Sequence, residues 1–206
     1  MPTRIILVRH GQTEWNREER FRGRADIDLN QTGLKQAEAA AATLSELGAA
    51  ALYSSPLKRA LRTAEVVARR LGLVVVPLEG VTDVDYGYWQ GLSLREAEER
   101  DPGVFAQWRD GPQLTRFPGG ESMEEVRARA AAAVDALALK HAGQSVVVVS
   151  HVVVCRLLVL HLLGLDTSRF WHVGQDNCAV SIFEMRDGLS VALRLNDTCH
   201  LRELEP

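Results

Sequence analysis

The stretch Ile5-Ile6-Leu7-Val8-Arg9-His10-Gly11 decides how this chain folds. Its four consecutive aliphatic residues are too few for a free-standing helix and predict a strand buried on both faces. The run stops at Arg9-His10-Gly11 and passes into Gln12-Thr13-Glu14-Trp15-Asn16, which is polar and turn-prone. In an α/β protein, the exit of a central strand toward a helix N-terminus is where ligands bind. Val146-Val147-Val148-Val149 repeats the design, ending in Ser150-His151 before a second apolar, helix-like stretch. Two imidazoles at two buried-strand exits, with Arg9 beside the first, point to one composite anion site.

Outward from that strand the chain alternates. Residues 11 to 31 read as a polar loop holding Phe21-Arg22-Gly23-Arg24. An alanine-rich helix then runs to about Leu47, with Thr32 as its expected N-cap. Ala50 to Tyr53 reads as a strand, and Ser55-Pro56 as the cap and first residue of a helix reaching Leu71. Leu73 to Val76 is the next strand, so the order is βαβαβ. That order predicts a three-layer α/β/α sandwich around a mostly parallel sheet.

Residues 77 to 120 break the rhythm apart from a short helix around Leu94 to Arg100, and so long an irregular segment predicts a lid or binding loop. Ser122 to Glu125 matches a capping box and opens a helix from about Met123 to His141. Cys178 to Met185 and Ser190 to Leu195, around Asp187-Gly188, read as an antiparallel hairpin at the sheet edge. That edge leaves a homodimer open. With no repeat or internal boundary, residues 1 to 206 read as one domain carrying the 77–120 insertion.

Composition narrows the partners. The chain of 206 residues is 46% hydrophobic and 25% charged with a formal net charge of -3, and its basic residues are scattered, which argues against nucleic acid. Cys155, Cys178 and Cys199 are odd in number and far apart, which fits a reducing compartment rather than a disulfide frame or a zinc knuckle. A strand starts almost at the N-terminus, leaving no room for a signal peptide. Val146 to Leu165 is nearly apolar, yet Ser150, His151, Arg156 and His161 within it favour a strand and a buried helix over a membrane span. A cytoplasmic protein is expected.

Neither metal-ligand spacing nor a glycine-rich phosphate loop is present, so no metal or cofactor is expected and side chains must hold any phosphate. Arg9 and Arg59 are the first candidates, because a guanidinium fork pairs with phosphate oxygens in a way an ammonium cannot. Taken singly, the candidates have ordinary readings: His151 as a structural histidine, Arg59 as a solvated helix charge, Asp83 and Asp85 as turn carboxylates, Trp89 and Trp108 as packing. His161 reads as helix packing and His172 as loop surface.

Leu7-Val8-Arg9-His10-Gly11-Gln12-Thr13-Glu14-Trp15-Asn16 resembles the signature of the histidine phosphatase superfamily, the phosphoglycerate mutase-like proteins. Ser54-Ser55-Pro56-Leu57-Lys58-Arg59-Ala60, Asp85-Tyr86-Gly87 with Trp89-Gln90-Gly91, Gly119-Gly120-Glu121-Ser122 and Val149-Ser150-His151 resemble its later blocks, in order along the whole chain. The resemblance implies a nucleophilic His10 that forms a phosphohistidine, with Arg9, Arg59, His151 and Asn16 holding the phosphoryl group. Arg22, Gly23 and Val152 join Asn16 as expected substrate contacts. Physical chemistry agrees, since neighbouring guanidinium groups keep an imidazole neutral and stabilise charge on a phosphoryl group in transfer.

Where the family usually carries a glutamate proton donor, three residues before the aromatic-Gly pair, this chain has Asp83. Asp85, Glu79 and Glu121 are the other carboxylates in range. The chain lacks the larger insertion and tail of phosphoglycerate mutases, which favours hydrolysis of a small phosphomonoester over the mutase reaction, with a silent phosphate-binding protein as the remote alternative. The layout with Phe170-Trp171 is similar to metal-independent phosphoserine phosphatases, although Tyr86 stands where that group often has histidine. Arg22 and His200 are placed to meet a second anionic group.

Overall fold

In the computed structural model, residues 2–204 are described. Strand β1 (Thr3–Arg9) lies inside a six-stranded sheet. The others are β2 (Ala49–Ser54), β3 (Val75–Pro77), β4 (Ser145–Ser150), β5 (Val180–Arg186) and β6 (Leu189–Asp197), in the spatial order β3-β2-β4-β1-β5-β6. The first four in that order run parallel, and β5 and β6 close one edge antiparallel. This is the sandwich that the sequence predicts, and it carries helices on both faces.

Strict alternation of β1 and β4 divides the core. Ile6, Val8, Val147 and Val149 face α2 (Gln31–Leu44) and α3 (Lys58–Leu71), whose small Ala37, Ala40, Ala60 and Ala64 allow close approach. Ile5, Leu7, Val146 and Val148 face α6 (Met123–Lys140) and α7 (Val152–Leu162). Each such aliphatic side chain contributes about 1.5–3 kcal/mol on burial. The Val146–Leu165 stretch is thus a strand and an eleven-residue helix. Among the described residues no helix is long and apolar enough to cross a membrane.

The register of these strands builds the site. Arg9 lies opposite Ser150 and Val8 opposite Val149, so His10 and His151 leave adjacent parallel strands at the same level. Backbone bonds from His10 N to Ser150 O (2.9 Å) and Ser55 N to Val149 O (3.0 Å) tie the exits of β1, β4 and β2 together. Gly11 and Gly33 meet backbone to backbone there, and a Cβ on either would collide with the other's segment.

Several local expectations are corrected. The first loop contains a short helix, α1 (Glu14–Arg17), capped by Thr13. Asn30, not Thr32, caps α2: its side chain accepts from Gly33 N at 2.8 Å, starting the helix two residues earlier. Ser55 does not cap α3, because its hydroxyl is taken up by His151, and the Lys58 N–H donates instead to Asp26 Oδ1 at 2.8 Å. Within residues 77–120 the short helix expected around Leu94 to Arg100 forms as α4 (Leu94–Arg100), while α5 (Pro102–Asp110) and three short 3-10 turns add order that was not expected. Trp89, Phe105 and Phe117 root that segment in the core against Phe21 and Tyr86.

Candidate active site

His10 and His151 are both fully buried, with ring centroids 5.2 Å apart. The Nδ1 of His10 lies 2.7 Å from the carbonyl oxygen of Gly11. A carbonyl only accepts, so Nδ1 carries the proton of the neutral ring and the lone pair is on Nε2. That Nε2 is buried without a hydrogen-bond partner among the described residues. Burial first, then the charges of Arg59, Arg9 and Arg22, holds His10 well below the ordinary imidazole range. The same causes, burial foremost, keep His151 neutral. A neutral imidazole with a free nitrogen is a competent nucleophile.

The second ring is held by contacts from other strands. Ser55 Oγ lies 2.7 Å from His151 Nε2, while Nδ1 faces Asp83 Oδ2 at 3.7 Å. Arg59, on the first turn of α3, is wholly buried. Its guanidinium donates to Ala25 O, Gly23 O and Asp83 Oδ2 at 2.8, 2.7 and 2.9 Å. Gly23, at φ +50°, supplies its carbonyl from a left-handed turn that other residues adopt only under strain. Arg9 donates through NH1 to Gln175 O at 2.5 Å, and burial pushes it down to about 9, still a cation at neutral pH. The Nε atoms of Arg9 and Arg59 and the Nδ1 of His151 are, like His10 Nε2, buried and unmatched. Three cationic or polar nitrogens and one lone pair thus lie buried and unpartnered near the strand exits.

Among the four candidate carboxylates, Asp83 reaches this group. Its Oδ1 accepts from Val84 N (3.0 Å), which turns Oδ2 toward Arg59 and His151. Glu79 contacts Thr82, and Asp85 caps the turn at Gly87. Glu121 is engaged by Arg129 through both oxygens, 2.7 and 2.9 Å. Arg129 also donates to the carbonyls of Gly80, Thr82 and Asp83, and so holds the segment that carries Asp83. No motif marked Arg129, Gln175 or Asn177, whose Nδ2 donates to His10 O at 3.0 Å. An arginine among the small residues of α6 was the available signal.

A cavity of about 260 Å³ has Arg9, Asn16, Arg22 and Val152 in its wall, together with Tyr86, Trp108, Arg156, Phe170 and Trp171. His10, Arg59, Asp83 and His151 lie outside that wall, and Arg9 is common to both groups. The Asn16 side-chain oxygen accepts from Thr13 N and Oγ1, leaving its amide nitrogen as the group that could meet a ligand. Arg22 donates to Trp15 O and Arg20 O. His200 bonds Cys178 O at 3.1 Å and is absent from the wall. His161 pairs with Asp135 at 3.0 Å, and His172 is exposed.

Residues 5–198 match the family model described as "Histidine phosphatase superfamily (branch 1)". Phosphoserine phosphatase 1 of Hydrogenobacter thermophilus is 40% identical over 200 residues, covering 97% of this chain and 95% of that protein. The metal-independent phosphoserine phosphatase of Arabidopsis thaliana is 34% identical over 202 residues, covering 97% and 83%. Among solved structures, YhfR of Bacillus stearothermophilus superposes with a TM-score of 0.92 at 29% identity, covering 97% of this chain and 100% of that one.

Proposed function

The chain belongs to the histidine phosphatase superfamily, and from that premise we propose that it hydrolyses small phosphomonoesters through a phosphohistidine at His10. The observation that carries this reading is the His10 Nδ1–Gly11 carbonyl contact, which leaves Nε2 as an unshared lone pair among unmatched guanidinium donors. His10 Nε2 attacks phosphorus and the bond to the ester oxygen breaks. Arg9, Arg59, His151 and the Asn16 amide hold the phosphoryl oxygens, and donors already in place stabilise charge without reorganising. Asp83 enters the cycle by taking up a proton as substrate draws Arg59 to the phosphoryl group, and it gives that proton to the leaving alkoxide. It then takes one from the water that attacks the phosphohistidine, releasing phosphate and restoring His10.

Neither step needs a metal ion. The relatives named for phosphoserine make phosphoserine the first substrate to try. Residues 77–120 supply one side of the substrate cavity through Tyr86, Leu94 and Trp108 and serve as its cover.

The test is a phosphomonoester screen in EDTA that scores phosphate release and isomer formation together, with radiolabelled substrate and rapid quench. Phosphate release with label trapped on wild type and absent from His10→Ala is expected, with turnover lowered by more than about a thousandfold. Isomerisation without net phosphate identifies a mutase instead. Saturable binding without either product identifies a silent binder.

A further inference from the structure

We propose that the cavity beyond Arg9 is a subsite for a second oxyanion on the substrate, held by the Arg156 guanidinium and the Trp108 indole N–H with Arg22 beside them. This rests on the hydrolase reading and adds to it what the ester must carry besides its phosphate.

Three residues of the wall carry the inference. Arg156, on α7, has its guanidinium carbon 5.1 Å from the centroids of both Phe170 and Trp171, whose rings stand at 82° to one another. Attraction between a cation and ring faces takes up none of its hydrogen bonds, so the N–H donors still need acceptors. Arg156 Nε is buried without an acceptor, and no carboxylate comes within ion-pair distance of Arg156, Arg22 or Arg9 among the described residues. Trp108 repeats the pattern. Its carbonyl accepts from Trp171 Nε1 at 3.0 Å, and its ring packs on Phe21, Phe105 and Trp171, yet its own Nε1 is buried and unmatched. Arg22 satisfies NH1 on two carbonyls and leaves Nε unmatched.

Packing alone accounts for the rings but not for three buried donors in one wall. A buried donor from which nothing accepts is costly, and an arriving carboxylate or phosphate recovers that cost. The acidic member of the wall, Glu19, is exposed, and Arg20 is already neutralised by Glu18 and Glu96. Reach is limited as well. Arg156 lies five positions past His151, the N-cap of its helix, about 7.5 Å of axial rise, so a short carbon chain spans the two groups.

The experiment compares O-phospho-L-serine with O-phosphoethanolamine, which differ by one carboxylate, and propanediol bisphosphate with propanediol monophosphate. Wild type is expected to favour the doubly anionic member of at least one pair by on the order of tenfold in kcat/KM, the effect of a charged hydrogen bond. The pair that shows the preference tells carboxylate from phosphate. Arg156→Met brings that ratio toward one. Trp108→Phe keeps the ring packing, removes the donor and lowers the ratio severalfold. Ratios near one in wild type for both pairs, or equal losses on both members of a pair in both variants, overturn the subsite. Titration calorimetry on His10→Ala with the same ligands separates the two readings. A binding preference with no turnover of any ester keeps the subsite and removes the hydrolase, whereas turnover without preference does the reverse.

Discussion

Arg129 is half-buried and Arg9 buried, yet the two regions they organise treat hydrogen-bond donors in opposite ways. Around Arg129 every recorded contact finds an acceptor: both Glu121 oxygens and the carbonyls of Gly80, Thr82 and Asp83. At the strand exits Arg9 has one carbonyl partner, and the Nε atoms of Arg9 and Arg59 have none. A region whose donors are all satisfied by its own chain is there for stability. A region that tolerates unmatched buried donors gives up stability for a ligand it is shaped to receive.

The largest expected effect tests the satisfied side. Arg129→Met strips three carbonyls of this donor and leaves Glu121 with only Arg24 and the Asp85 N–H, and should cost about 3 kcal/mol of unfolding free energy. A thermal melt should show this as a Tm drop of roughly 6–12 °C. A drop under a degree or two would show that solvent replaces the clamp. Next comes the unsatisfied side. Arg9→Met should lower kcat/KM by on the order of a hundred- to a thousandfold. Its stability should stay within about 1 kcal/mol of wild type, because the arginine it removes is buried with no carboxylate partner. If Arg9→Met destabilises as strongly as Arg129→Met, the contrast between the regions fails.

Acid sharpens the comparison. His10 and His151 are held below 6.5 when folded, so the unfolded chain binds protons more readily once pH falls beneath that value. Their contribution is complete above about pH 6.5 and is lost as pH falls, by at most about 1.4 kcal/mol per pH unit for each ring. For Glu121, burial pulls upward but Arg129 and the Asp85 N–H prevail and lower it from 4.5, so the clamp weakens only below that pH. Urea titrations between pH 4.5 and 6.5 should therefore show a slope that His10→Gln reduces and Glu121→Gln leaves alone. The acid limb of kcat/KM should likewise fall below the pH of a free imidazole. The smallest effect belongs to Asp26→Ala, which removes the cap on α3 and should cost about 1 kcal/mol in a urea midpoint.

Much of this was legible in advance. Apolar runs at residues 5–8 and 146–149 demanded central strands, and the polar residues at their ends located the site. The order βαβαβ and the hairpin at Asp187-Gly188 followed from periodicity and turn chemistry. Caps were read less well: Ser55 carried a helix-start pattern, but its hydroxyl serves His151. The 77–120 segment looked irregular because its apolar residues are spaced to fit a concave core rather than one helix face.

Chain chemistry by itself determined that β1 and β4 would be buried and that each would deliver a histidine at its exit, because strand burial follows from local hydrophobicity. Which carboxylate joins those rings was decided only in three dimensions. The family resemblance favours Asp83 with Asp85, Glu79 and Glu121 behind it, and the Arg129 clamp takes Glu121 out of play while it fixes the backbone of Asp83. The same holds for Arg156 and Trp108, 48 positions apart, whose free N–H groups share a wall because α5 and α7 flank one cavity. Contacts between distant residues depend on register and close packing, and neither is written in any short stretch of the chain.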